Sequence, residues 1–297
     1  PAASACAAAA SVASVGVLAA AAQRKHVRRA LALRAVPATM PPAAPKDVVV
    51  VASDDLVGKM LCDEVAAAAN AAVAERGAFA IAIPGGSILK MLAKGSPALA
   101  SVPWEKGVLA YVNHKCCPNE DKKAATHAKA KELFLDGWKG LKVITVGGSA
   151  DGPAEAARYE KLLRELPEST LPRNEAGAPV FDLQLIGVGD DGHFGSLYPN
   201  RPEIMDSSGK WVLSVDMKSP PSITLSPDAI LAARKIIVAS AGVSEKYPLG
   251  KSAAMKVALE GKEGPPAFPA QALRDRATWL FDEAAASALS PAYRQAA

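Results

Sequence analysis

The chain has 297 residues, 50% of them hydrophobic, 5% aromatic and 22% charged, with a formal net charge of +4. That length and apolar content support one large domain or two small ones with an aliphatic core, and exclude collagen-like, mucin-like and acidic disordered classes. The charge is uneven: Arg24, Lys25, Arg28, Arg29, Arg34 and Lys46 precede the first acid, so removing those six cations leaves residues 47–297 at −2, unlike a nucleic-acid-binding body.

Residues 1–45 read as an organellar targeting leader, disordered or removed in the mature protein. An Ala/Ser/Val-rich stretch runs into a basic one (QRKHVRRALALR) and then a Pro-rich hinge (VPATMPPAAP). Arg-rich, Ser-containing and acid-free is the composition of a transit peptide, so the plastid (chloroplast) stroma is the expected destination, with the mitochondrion as the alternative. The chain starts with Pro, so the true N-terminus is expected upstream, where a secretory signal would leave a similar pattern. The apolar run is too Ala-dominated for a good membrane span, and no membrane association is expected for the mature domain.

From Lys46 onward strand and helix patterns alternate. Val48–Ala52 is a β-branched run, and Asp54–Arg76 has helical apolar spacing ended by Gly77. Phe79–Ile83 predicts a buried strand, broken by Pro84-Gly85-Gly86 before a helix from Ser87. Gly107–Val112 predicts a strand, Lys122–Asp136 a helix, Lys142–Val146 a strand, Ala154–Arg164 a helix and Asp182–Gly187 a strand. Further strands are expected at Trp211–Val215, Lys235–Ser240 and Thr278–Phe281, and helices at Ser244–Leu259 and Asp282–Leu289. This alternation predicts a single α/β, Rossmann-like domain over residues 46–297, with a mostly parallel sheet flanked by helices on both faces. Sites in such folds lie at the carboxyl ends of strands.

Two segments at such ends carry chemistry. In Ile83-Pro84-Gly85-Gly86-Ser87 the paired glycines let backbone N–H groups approach an anion at a helix start. It fits neither nucleotide-binding glycine pattern, and a plain tight turn is the alternative. In Gly187-Val188-Gly189-Asp190-Asp191-Gly192-His193, a histidine beside acids and glycines is poised for proton transfer, with a carboxylate available to orient its ring. Cys6, Cys62 and the adjacent Cys116 and Cys117 lack C-x-x-C spacing; they read as free thiols, and no metal or cofactor is expected. A thiol beside His114 and Lys115 could serve as a nucleophile, although packing beneath the loop is the simpler role. His127, between Lys123 and Lys131, reads as solvated.

The run Phe181–Pro199, F-D-L-x-L-x-G-x-G-x-D-G-H-x-x-S-L-[FY]-P, resembles the signature of the 6-phosphogluconolactonases, within the glucosamine-6-phosphate isomerase/deaminase superfamily. The resemblance extends from about Val48 to Ser290. It includes Gly85-Gly86-Ser87, Val102-Pro103-Trp104, Pro220-Pro221 before Ile223-Thr224, a G-x-x-K-like segment from Gly242 to Lys246, and Phe268-Pro269-Ala270 followed by Trp279 and Phe281-Asp282.

The resemblance implies hydrolysis of 6-phosphogluconolactone to 6-phosphogluconate, without metal, by a monomer or homodimer whose partner is a small phosphosugar lactone. His193 would activate water and Asp191 would orient or assist it. Gly85, Gly86, Ser87, Lys115 and Lys246 would hold the phosphate. The departures lie among the anchors. Asn113-His114-Lys115 stands where the family has Asp-Glu-Arg, Ala124-Ala125 falls near its Ser-Asn, and Ser222 replaces an arginine. Lys115 offers charge but not a guanidinium fork, and Ser222 offers no charge. Each lost charge-assisted hydrogen bond is worth about 1.5–3 kcal/mol. Arg201 is a candidate substitute, and His114 with Lys115 could form a different anion site. A non-catalytic sugar-phosphate-binding or assembly homologue is therefore an alternative expectation, and an aminosugar-phosphate isomerase or deaminase a further one.

Overall fold

The computed structural model describes residues 48–243 and 248–294, so the leader read at 1–45 and the anchor read at Lys246 lie outside the described residues. Seven strands form one parallel sheet: β1 (Val48–Val51), β2 (Phe79–Ile83), β3 (Gly107–Tyr111), β5 (Lys142–Val143), β6 (Leu183–Ile186), β9 (Lys235–Ser240) and β11 (Thr278–Asp282), in the order β1-β11-β9-β6-β2-β3-β5.

Alternation along each strand builds two cores. Phe79, Ile81 and Ile83 of β2 point to one face, with Ile237 and Leu280; Ala80 and Ala82 point to the other, with Val238, Trp279 and Phe281. Helix α1 (Asp54–Arg76) covers the first face through Val57, Leu61, Val65 and Ala69. Its ends follow from sequence: the Ser53 hydroxyl accepts from Leu56 N–H, Asp54 and Asp55 fill the first turn, and Gly77 closes it at φ +83°. Helix α2 (Ser87–Leu92) joins that face, while α4 (Gly152–Arg164) covers the other with Tyr159 and Leu163. A parallel sheet with helices on both faces is what the alternating pattern predicts.

The structure differs where elements are short. The helix expected at Lys122–Asp136 shrinks to α3 (Thr126–Leu133) followed by a 3₁₀ turn, Leu135–Gly137. Of the helix expected at Ser244–Leu259, residues 244–247 lie outside the described residues, strand β10 (Pro248–Lys251) takes the next four positions, and the helix is α6 (Ser252–Glu260). The strand expected at Trp211–Val215 does not join the parallel sheet. It is β7 (Val212–Val215) of a three-stranded antiparallel sheet with β8 (Ser222–Leu225) and β4 (Asn113–Lys115), in the order β4-β8-β7. Val112 couples the two sheets, donating its N–H to Ile83 O (2.9 Å) and accepting from Leu225 N–H (2.8 Å).

The main chain leaves β2 towards β3 and leaves β6 towards β9, its neighbour on the opposite side. Between β2 and β6 the topology therefore switches direction, which opens a crevice at their carboxyl ends.

Candidate active site

A cavity of about 560 Å³ occupies this crevice. Gly85, Gly86 and Ser87 form one side, after β2, and the loop from Gly187 to Ser196, after β6, forms another. The small sheet closes the cavity with Asn113, Lys115 and Ser222, and α3 contributes Thr126 and Lys129.

Gly86 has φ +75°, a left-handed conformation that glycine adopts without strain. A Cβ on Gly85 would lie 2.9 Å from Thr126 Oγ1, so the missing side chain lets the turn approach α3. The second loop folds back on itself: Gly189 N–H donates to His193 O (2.8 Å), Gly192 N–H to Gly189 O (3.1 Å) and Ala270 N–H to Gly192 O (2.9 Å). The N–H groups of Gly189 and Gly192 are thus engaged within the loop and do not face a ligand. The loop delivers His193 beside Asp191, with His193 Nδ1 2.5 Å from Asp191 Oδ1 and the His193 backbone N–H 3.1 Å from the same oxygen. A carboxylate only accepts, so Nδ1 carries the hydrogen and the neutral ring keeps Nε2 as its proton acceptor. Burial works to raise the Asp191 pKa, but the hydrogen bonds and charge of His193 outweigh it and hold the carboxyl below its ordinary value.

One aromatic side chain covers the ring, and a lysine covers that aromatic in turn. Tyr198 lies with its centroid 4.7 Å from that of His193, and Lys218 Nζ sits 5.1 Å from the Tyr198 centroid. Buried Ser196 ties the loop to the small sheet through Asn113 Nδ2 (3.1 Å) and through its own N–H to Thr224 Oγ1 (3.3 Å).

The expected anchors are placed unequally. Lys115 lines the cavity, directly across the β4–β8 pair from Ser222. Arg201 does not reach it: the guanidinium pairs with Glu203 (2.9 Å) and Asp216, so the substitute role read from sequence is corrected. Lys251, at the start of α6, lines the cavity and donates to Val188 O (2.6 Å). Its sequence signal is Gly250-Lys251 immediately before the apolar helical run, a second Gly/Lys pairing downstream of the Gly242–Lys246 one. Lys129 and Lys218 also line the wall, and no local pattern marks either.

His114 is not an anion ligand. It is buried, its Nδ1 lies 2.7 Å from Lys115 O, and its Nε2 accepts from His127 N–H at 3.2 Å. His127 is half-buried rather than solvated, with Nδ1 2.8 Å from the Tyr111 hydroxyl. This strut joins β4 to the start of α3 and so sets the wall that carries Lys115. Cys116 and Cys117 are buried beneath it, and burial pushes the Cys116 thiol up to about 11, which leaves no reactive thiolate.

Burial pushes both His114 and His127 below the ordinary histidine value of 6.5, while each titrates normally once the chain unfolds. The unfolded state therefore binds more protons as pH falls from 6.5, and the histidine contribution to stability, present above 6.5, is lost in that direction. The urea midpoint is expected to fall between pH 7 and pH 5, and less steeply in His114→Gln. Equal slopes in the two proteins would show that the strut does not titrate on unfolding.

A larger groove, about 760 Å³, lies between α4 and β7. Its charged groups serve the fold: Glu160 accepts from Trp211 and Val212 N–H and pairs with Arg164. The smaller cavity, which gathers His193, Asp191 and the glycine turn, is the candidate active site.

Comparison with known proteins agrees with this fold. The family model described as "Glucosamine-6-phosphate isomerases/6-phosphogluconolactonase" matches residues 52–281. The chain is 31% identical to the chloroplastic 6-phosphogluconolactonase 3 of Arabidopsis thaliana, over 72% of this chain and 66% of that one, so it spans about two-thirds of that relative's length. It is 32% identical to the Bos taurus 6-phosphogluconolactonase over 83% of this chain and 95% of that one. The crystal structure of a 6-phosphogluconolactonase from Shewanella baltica superposes with a TM-score of 0.64, at 19% identity, over 81% of this chain and 100% of that one. With the family model running from the end of β1 into β11 and enclosing both glycine loops, the chain belongs to the glucosamine-6-phosphate isomerase/6-phosphogluconolactonase family.

Proposed function

We propose that this protein hydrolyses 6-phosphogluconolactone to 6-phosphogluconate, with His193 as general base. The observation that carries the reading is the 2.5 Å His193–Asp191 pair at the topological switch point, facing a wall of lysines. His193 Nε2 takes a proton from water as the oxygen attacks the lactone carbonyl. The tetrahedral intermediate collapses with cleavage of the ring C–O bond, and the imidazolium returns the proton to the departing alkoxide. Asp191 fixes the tautomer and balances the transient cation. Gly85, Gly86, Ser87 and Lys115 hold the phosphate, and Lys251 joins them. The relatives named 6-phosphogluconolactonase support the substrate.

Hydrolysis of 6-phosphogluconolactone by the purified protein, well above the spontaneous rate, is the expected result. Ser222, in place of a cation, favours one rival: a sugar-phosphate-binding homologue without activity. Background rates from a folded protein that still binds 6-phosphogluconate would establish that rival. Ammonia release from glucosamine 6-phosphate would establish the deaminase instead.

The leader would carry this activity to the plastid, as the Arabidopsis relative's name supports. Residues 1–45, placed behind an initiator Met and fused to a fluorescent protein, should then enter plastids, and mitochondrial fluorescence would refute it.

A further inference from the structure

We propose that Lys129 and Lys218, facing the cavity from two separate elements, are residues by which this chain reads the phosphate of a phosphorylated sugar lactone. The proposal rests on the hydrolase reading for its substrate. It rests on the cavity wall for its residues.

Several cations elsewhere on the protein are tied to carboxylates, among them Lys59 to Asp63, Lys94 to Asp54 and Asp55, Arg234 to Glu75, Lys235 to Glu64, and Arg201 to Glu203 and Asp216. Lys129 and Lys218 have no ion pair among the described residues, and both line the cavity. Lys218 is held over the face of Tyr198, which steers the ammonium without neutralising it. Lys129 stands one turn into α3, three residues after the cavity-lining Thr126. Two ammonium groups on separate elements, in a cavity also lined by Ser87, Thr126 and Ser222, suit an anion with several equivalent oxygens. A phosphomonoester has that form. A lysine meets it as a movable point charge, with no need for the planar register of a guanidinium.

Ser222 gives the proposal a sharp consequence. It lies on the hairpin that carries Lys218, four residues further on, and lines the same cavity. The charge missing at 222 would thus be supplied at 218, and an arginine at 222 would make Lys218 dispensable.

The test measures steady-state hydrolysis by the full chain on two substrates, 6-phosphoglucono-δ-lactone and unphosphorylated glucono-δ-lactone. Lys129→Ala and Lys218→Ala are each expected to raise KM for the phosphorylated lactone about tenfold, the loss of one charge-assisted contact. kcat/KM for the unphosphorylated lactone is expected to stay within twofold. Adding Ser222→Arg to Lys218→Ala should recover most of the lost KM. Unchanged KM in both single variants, or equal losses on both lactones, would overturn the proposal. An arginine at 222 that recovers nothing would remove Lys218 from it.

If the wild-type protein does not exceed the spontaneous rate, the hydrolase reading falls by itself. Calorimetric titration with 6-phosphogluconate and gluconate then decides the lysines: a tenfold loss confined to the phosphorylated ligand upholds them, and equal affinities in wild type and variants overturn them.

Discussion

His193→Ala is expected to bring 6-phosphogluconolactone hydrolysis down by about two to four orders of magnitude, the range that a positioned general base contributes. The spontaneous opening of the lactone sets the floor, so rates must be read against protein-free buffer. Asp191→Asn is expected to cost less. An asparagine carbonyl can still accept from Nδ1 and from the His193 N–H, where Asp191 Oδ1 now accepts both. What it loses is the charge that balances the imidazolium. The order His193→Ala below Asp191→Asn below wild type, with unchanged circular dichroism, is the expected outcome. Wild-type activity in His193→Ala would remove this histidine from the chemistry.

Gly189→Ala is expected to come close to His193→Ala in its effect on activity while leaving the thermal midpoint nearly unchanged. A Cβ at 189 would lie 2.2 Å from His193 Cε1 and Nδ1 and 2.9 Å from Asp191 Oδ1. The backbone does not have to move to relieve this, because the His193 side chain is 29% exposed and its ring can swing towards solvent. That escape is cheap for folding and costly for catalysis, since it breaks the Nδ1–Asp191 pair. A displaced ring or a lost pair in a crystal structure of the variant would agree. Wild-type kcat/KM would mean that the contact is relieved without disturbing the histidine.

How far the fold was legible depended on how locally each element is specified. Lys235–Ser240 coincides with its strand, because an unbroken β-branched run buried on both faces has no competing period. Asp54–Arg76 coincides with its helix, because Ser53 and Gly77 mark both ends within the chain itself. The small sheet was not legible as a sheet. Asn113–Lys115 is only three residues long, and its pairing with Ser222–Leu225 spans more than a hundred residues. Nothing near Asn113 announces a partner that distant.

The candidate site divides in the same way. His193, Asp191 and the Gly85-Gly86-Ser87 turn each lie in a contiguous motif, and the structure brings them to one cavity. The lysines reach that cavity from elements distant in the chain, so Lys129, Lys218 and Lys251 escaped notice while Arg201 was credited with a role that Glu203 and Asp216 deny it. His114 misled for a related reason. Its burial and its bond to the His127 N–H are tertiary facts, invisible in the neighbouring Lys115 and Cys116.

The two sheets bear on how such a protein can diverge. His193 is fixed by a loop that grows from the parallel core, whereas Lys115, Ser222 and the turn bearing Lys218 belong to a short antiparallel attachment joined to that core at Val112. Part of the proposed phosphate wall therefore sits on a scaffold that can mutate separately from the loop that holds His193, while the Gly85-Gly86-Ser87 turn, Lys129 and Lys251 stay with the main fold. Charges on the attachment can migrate from one rung to another, or disappear, while the proton-transfer machinery keeps its geometry. Edits to that one hairpin would redraw one wall of the cavity while leaving the His193 loop untouched.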